Sequence, residues 1–265
     1  MKTFDAGKFD YKKFIEDNLE IVSKEGKQIP LILNAIQNKY LIFDMTLRDD
    51  ILKARQEGLS TIVDAVWVTD FIMRPHSYNV IVADIEDNAT GLLDRVKLML
   101  ASYEDKNKIK IPMKYDSRFE MYNSFMDSRL MIGTAKNQEF GRSKTITNLH
   151  LSELALYPNI ERIVAGAGQA VVDSGRIVCE TTANGFNEYK KFRSSDNGFK
   201  KIFYKASDFY SEDFLLRKKK ELGEIFTQEY PNTEQEAFIT TGQCFFDKGS
   251  LAAMLRETEN NVGRA

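Results

Sequence analysis

Apolar positions along the chain change period several times, and the changes predict alternating helices and strands. Residues 11–24 set Phe14, Leu19 and Val22 among charges at helical spacing, and Gly26 supplies a stop, so an amphipathic first helix is expected. A short apolar run in residues 30–43 leads into a second helix, with Asn34 placed to cap it and Gln37 as its notable polar residue. From residue 51 the pattern reads strand (ILKA), turn (RQEG) and helix (STIVDAVWVTDFI), with Ile62, Ala65, Val66 and Trp67 on or near one helical face. Further strands are expected at residues 79–85, 128–135, 146–153, 176–182 and 199–206. Helices are expected at 88–103, capped near Asn88, and at 159–170 and 186–193. After residue 207 the pattern is helical and polar, and the last twenty residues are weakly patterned. Strands alternating with helices imply a largely parallel sheet covered on both faces.

Composition adds limits to this picture. With 265 residues, 43% of them apolar, the chain has material for a substantial core, and no linker-like stretch divides it, so one main domain with peripheral additions is expected. Lys and Arg number 37 against 39 Asp and Glu, a net −2, so the chain lacks the general basic field of a protein that coats nucleic acid. Any DNA contact must come from local patches, of which Arg217–Lys220 and Lys190–Arg193 are the densest, although a solvated face is the commoner role of such runs. Asp84, Glu86 and Asp87 are placed to cap the next helix. Cys179 and Cys244 lie far apart with only His76 and His150 available, which supports neither a disulfide framework nor a zinc cluster. His76, in a loop, and His150, inside a strand, have no partner at ligand spacing and are assigned no chemistry. A reducing, cytoplasmic setting is expected, with no export signal and no 18-residue apolar run.

Three strand tips carry chemistry. The segment KARQEGLST sits between an apolar strand and an amphipathic helix, where a triphosphate needs inward N–H groups, a helix N-terminus, a cation and a hydroxyl for magnesium. Against the pattern G-x-x-x-x-G-K followed by Ser or Thr, Gly58 and Ser60 match, while Lys53 stands for the first Gly and Leu59 for the Lys. An ordinary turn capped by Ser60 is the competing reading. Glu153 ends the next acidic strand, where a carboxylate can orient or deprotonate a water for attack on a γ-phosphate. Ser152 stands where Asp would strengthen the metal case. Thr181, Thr182 and Asn184 at a third tip can report loss of that phosphate, or simply form a polar turn around Asn184-Gly185.

Taken together, KARQEGLST, NLHLSELAL and ETTANGFNEY resemble, in order and rough spacing, the Walker A, Walker B and coupling motifs of the ATPase domain of a large terminase subunit. That subunit is the DNA-packaging motor of tailed bacteriophages. EYPNTEQEAFITTGQCFFD resembles the stretch closing that domain before the nuclease, so the resemblance covers about residues 10–250. It implies an α/β fold, a P-loop NTPase of the ASCE type with a mainly parallel sheet flanked by helices. Residues 1–50 would form a helical region with the adenine-binding segment, 51–207 the ATPase core, and 208–265 a helical lid or linker leading towards an absent nuclease domain.

The resemblance also implies residue roles. Lys53 would be the phosphate-binding lysine moved to the front of the loop, with Leu59 filling the vacated site. Arg55, Gln56, Glu57, Gly58, Ser60 and Thr61 would complete the ATP-binding loop, and Gln37 would read the adenine edge. Glu153 would be the catalytic glutamate, and Arg142 the arginine offered to a neighbouring subunit's site. Thr181, Thr182 and Asn184 would couple hydrolysis to movement. Mg2+ would be held by Ser60 and Glu153 through water. The implied function is Mg-dependent ATP hydrolysis that powers translocation of double-stranded viral DNA into a procapsid. Portal protein, the small terminase subunit and a pentameric ring of copies are the implied partners, in the host cytoplasm at the portal and away from any membrane. A helicase-like ATPase and a nucleotide-binding assembly module without turnover are the alternatives. Nuclease activity is not expected.

Overall fold

The computed structural model describes residues 8–136 and 145–238. In chain order its helices and strands are α1 (Tyr11–Asn18), β1 (Glu20–Val22), β2 (Gln28–Pro30), α2 (Ala35–Lys39), β3 (Arg48–Lys53), α3 (Leu59–Met73), β4 (Tyr78–Ala83) and α4 (Glu86–Asn107). There follow β5 (Met113–Asp116), β6 (Glu120–Asn123), β7 (Ser128–Thr134), β8 (Ile146–Ser152), α5 (Ile160–Ala170) and β9 (Val171–Thr181). The last are α6 (Glu188–Ser194), β10 (Lys200–Tyr204), α7 (Glu212–Leu222), α8 (Phe226–Glu229) and α9 (Glu234–Ala237).

Eight strands form one sheet in the order β10-β3-β9-β8-β4-β7-β6-β5. It is parallel from β10 to β7, and β6 and β5 add an antiparallel edge. Strands β4 and β8 are buried along their whole length, β4 as a mainly apolar run and β8 with apolar residues alternating with buried polar ones.

Successive side chains on each strand enter two different cores. Ile51, Ile81, Ile132 and Val178 pack with α1, α3 and α4 on one face. Leu52, Val80, Val82, Leu149, Leu151, Ile177 and Cys179 pack with α5 and α6 on the other. Helix α3 is apolar nearly all round, with Ile62, Val63, Val66, Trp67 and Phe71 fully buried, because it lies between the sheet and the α1–α4 layer. Each such side chain contributes about 1.5–3 kcal/mol. No helix among the described residues is long and apolar enough to cross a membrane.

The structure corrects several expected boundaries. The first helix ends at Asn18, and β1 pairs with β2 across the Gly26 turn, so Val22 belongs to an exposed hairpin rather than a helical face. Helix α4 begins at Glu86 with Ile85 as its cap. Asn88 lies inside the first turn and donates to Asp84 at 2.6 Å, while Glu86 and Asp87 sit at the positive end of the helix as expected. Asn34 caps α2 as expected, in a reciprocal capping box with Gln37.

The basic cluster ending in Arg193 is not a solvated face throughout. Arg193 is only 3% exposed; its guanidinium donates to the Asp50 carboxylate at 3.1 Å and to Glu234 at 2.6 Å. It therefore ties α6 to β3 and to α9.

Candidate functional site

Strand β3 delivers the chain to its carboxyl end, and residues 54–58 form the loop before α3. Two residues there have positive φ, Gln56 at 63° and Gly58 at 82°. Gly58 is required on two counts. Its backbone is left-handed, and a Cβ would stand 2.7 Å from the Gln37 amide nitrogen. Gly58 is also the N-cap residue of α3 and offers no side chain to the first N–H groups. Those groups remain available to an anion, with the helix dipole behind them. The loop lines a cavity of about 730 Å³ with Ser60, Thr61, Asp84, Glu153, Thr182 and Asn184 on its walls. That volume suits a nucleotide-sized ligand.

At the floor of the cavity three strand ends converge. The Lys53 ammonium lies 3.1 Å from Glu153 and 3.0 Å from Glu180. Burial alone would lower the lysine pKa, but Glu180 and then Glu153 outweigh it and hold the group above its ordinary value. One Glu180 oxygen, Oε1, accepts from Ser60 Oγ at 2.8 Å and from Ser152 Oγ at 2.7 Å. His150 Nε2 lies 3.3 Å from the same oxygen, and its Nδ1 is 2.9 Å from buried Asp64. Burial opposes both charges. The two carboxylates nevertheless raise the His150 pKa to about 9, and Lys53 with His150 and Ser152 hold Glu180 well below the usual carboxylate range.

Glu153 itself is left-handed, at φ 57°, a costly conformation for a side chain with a Cβ. It turns the carboxylate into the cavity, where Oε2 accepts from the Thr182 N–H at 3.2 Å. The Thr181 hydroxyl donates to the Thr182 carbonyl at 2.7 Å and accepts from the Ala155 N–H at 3.1 Å, locking the turn after β8 against the end of β9.

No family model and no curated protein matches the chain. Solved structures do match. The Thermus phage P74-26 large terminase ATPase domain superposes with a TM-score of 0.57 at 17% identity, over 75% of this chain and 92% of that one. The chain has the fold of a phage large-terminase ATPase domain. The HK97 bacteriophage large terminase gives a TM-score of 0.58 at 13% identity, covering 80% of this chain and 51% of that one. The large terminase of a thermophilic bacteriophage, solved in complex with ADP, gives 0.52 at 15% identity, over 74% and 52% respectively. The chain thus spans about half the length of these last two terminases. In this terminase-type fold β9 separates the loop strand β3 from the acidic strand β8.

Within that fold the residues singled out from sequence fall into three groups. Lys53, Ser60, Glu153 and Thr182 meet at the cavity floor, with buried Thr181 against Glu153 beneath it and Thr61, Gln56, Gly58 and Asn184 on its walls. Four others have further contacts, and of these Arg55, Glu57 and Leu59 also line the cavity. Gln37 accepts from the Asn34 N–H at 3.0 Å and donates to the Gly58 carbonyl at 2.8 Å, so its amide braces the loop from behind. Arg55 is ion-paired with Glu229 of α8, and its carbonyl accepts from the Tyr210 hydroxyl at 2.6 Å, which clips the C-terminal helices onto the loop. Leu59 is fully buried in the α3 core, and Glu57 is fully buried as well. Arg142 lies outside the described residues.

Sequence reasoning missed His150, Glu180 and Asp64. A signal was present: Asn148, His150 and Ser152 recur at period two in an otherwise apolar strand, which marks a polar stripe on the α3 side of β8.

Neither Glu57 oxygen meets a hydrogen-bond donor at ordinary geometry, and the Ala54 backbone offers slight relief. Burial pushes its carboxyl from an ordinary 4.5 up to about 8, against the pull of Lys53. The unfolded chain releases this proton near the lower value and the folded chain near the higher one. The cost to stability is therefore absent below about pH 4.5, grows between the two values and is complete above about pH 8. Glu57→Gln should accordingly stabilise the fold by about 2 kcal/mol at pH 8.5 and by much less at pH 5. Thermal midpoints at the two pH values check this, and an equal change at both would contradict it.

Proposed function

We propose that the chain is a Mg-dependent ATPase, the motor domain of a phage large terminase, which drives double-stranded DNA through a portal into a procapsid. The observation that carries the reading is the placement of Glu153 in the cavity at the carboxyl end of the sheet, facing Lys53 across the loop. Ligands of open parallel sheets bind at such ends. The terminase neighbour holding ADP supports the same ligand class. Phosphates would lie on the free N–H groups of α3 and draw Lys53 away from its carboxylates. The Ser60 hydroxyl at the start of α3 and the carboxylates behind it fit a divalent cation, which would neutralise charge on the phosphates. Glu153 would orient the attacking water and take its proton. The turn Thr181, Thr182, Asn184 touches Glu153 and would pass loss of the terminal phosphate to the rest of the domain.

Portal protein and small subunit are the partners of this reading, and a ring of copies, pentameric at the procapsid in the host cell, lets Arg142 of one copy serve the site of the next. Phosphate release from mixtures tests that arrangement. Arg142→Ala and Glu153→Ala should each be inactive alone and should recover release when mixed, because an intact catalytic site then meets an intact arginine. Recovery absent at every mixing ratio would contradict the trans arrangement.

A further inference from the structure

A divalent cation beside a phosphate loop needs negative charge close to the loop hydroxyl, and the acidic strand does not supply it there: β8 places Ser152, a neutral hydroxyl, at that position. Strand β9 is the neighbour, and its register sets Glu180 directly opposite Ser152. Both side chains project to the α3 side, and the Glu180 oxygen that accepts from Ser152 at 2.7 Å also accepts from Ser60 at 2.8 Å. Adjacent strands are separated by about 4.8 Å, a gap that the longer glutamate side chain reaches across.

Among the described residues, none of the other carboxylates that line the cavity is bonded to Ser60. Glu153 is turned to Thr182 and Lys53, Asp84 accepts from Asn88 at the rim, and Glu57 lies buried in the cavity wall away from Ser60. Among the described residues Glu180 is the carboxylate bonded to Ser60. Its back is held by His150, which Asp64 holds in turn, so the group is fixed on the protein side and faces the loop through Ser60 and Lys53.

We propose that Glu180 supplies the negative charge that fixes the divalent cation against Ser60, the metal-holding carboxylate having moved one strand over from the position occupied by Ser152. This rests on the nucleotide-binding reading of the cavity. Magnesium binds a few protein groups and keeps much of its water, so one hydroxyl and one fixed carboxylate suffice beside the phosphates.

The test uses Mn2+ as the probe, followed by its paramagnetic resonance signal, with ADP present and the full chain. ADP binding in chelator is measured first. Absence of binding by the unaltered chain would overturn the nucleotide reading itself, whatever Glu180 does. Given that binding, Glu180→Gln should bind metal-free ADP at least as tightly as the unaltered chain, since Lys53 loses a competing carboxylate, and lose about 10–100-fold in Mn2+ affinity. The double variant Ser152→Asp with Glu180→Gln returns the charge to β8 and should recover most of that loss. Unchanged Mn2+ affinity in Glu180→Gln, or a double variant no better than the single one, would overturn the inference. Should Glu180→Gln fail to bind ADP in chelator, the double variant is compared with the unaltered chain directly. Mn2+ affinity within about tenfold then supports the inference, and a larger loss overturns it.

Discussion

Replacing Lys53 by alanine should weaken ATP and ADP binding by about 10–100-fold, the loss expected when a buried cation no longer meets charged phosphate oxygens. The same change should lower stability by about 3 kcal/mol, because the Lys53 side chain is 5% exposed and holds the fully buried Glu180 together with Glu153. Removing one member of a buried cluster leaves the others uncompensated, and among the described residues Glu180 keeps His150 and the hydroxyls of Ser60 and Ser152 but loses its ammonium partner. Lys53→Met keeps the packing of the stem and removes the charge, so binding should fall as far as in the alanine variant and most of the stability loss should remain. Calorimetric titration with ADP and a denaturant melt check the two parts. Unchanged nucleotide affinity in both variants would show that Lys53 serves the fold alone.

Glu153→Gln should lower turnover by about 10²–10⁴-fold, the range of a general base in proton transfer, while leaving the loop intact. The amide oxygen can still accept from the Thr182 N–H, so the local turn has no reason to collapse. Binding should move in the opposite direction to turnover. In this structure Lys53 is shared between two carboxylates, and neutralising one of them removes a competitor for the phosphates. ATP affinity equal to or tighter than that of the unaltered chain, with turnover lost, is the expected pair of results. A parallel loss of both would place Glu153 in binding rather than in proton transfer.

The order of the three motifs along the chain, and the α/β alternation, were legible because the central strands are buried on both faces and α3 is apolar nearly all round. Each therefore carries a short apolar stretch, such as Ile51-Leu52, Val80–Ala83 or Ile177–Cys179. Strands β1, β2, β5 and β6 escaped notice for the converse reason: they are three or four residues long, and β2 is exposed along its length. A local pattern of polar residues gave no cue to pairing there.

The site divides in the same way. Lys53, Ser60 and Glu153 were legible from their places at element ends. The roles of Glu180 and His150 depend on partners 28 and 30 residues away along the chain, which adjacent strands bring into register. Gln37 of α2 and Arg55 of the loop show the limit of a motif from the other side. Their side chains are committed to the Gly58 carbonyl and to Glu229, contacts that no spacing in the sequence announces.

The most direct test of the account is phosphate release from ATP by the unaltered chain at high protein concentration, with Mg2+ and with chelator, beside Glu153→Gln in the same conditions. The account predicts release that requires the metal and disappears in the variant while ATP remains bound. Bound ATP with no metal-dependent release above background, or release that Glu153→Gln leaves unchanged, would contradict it.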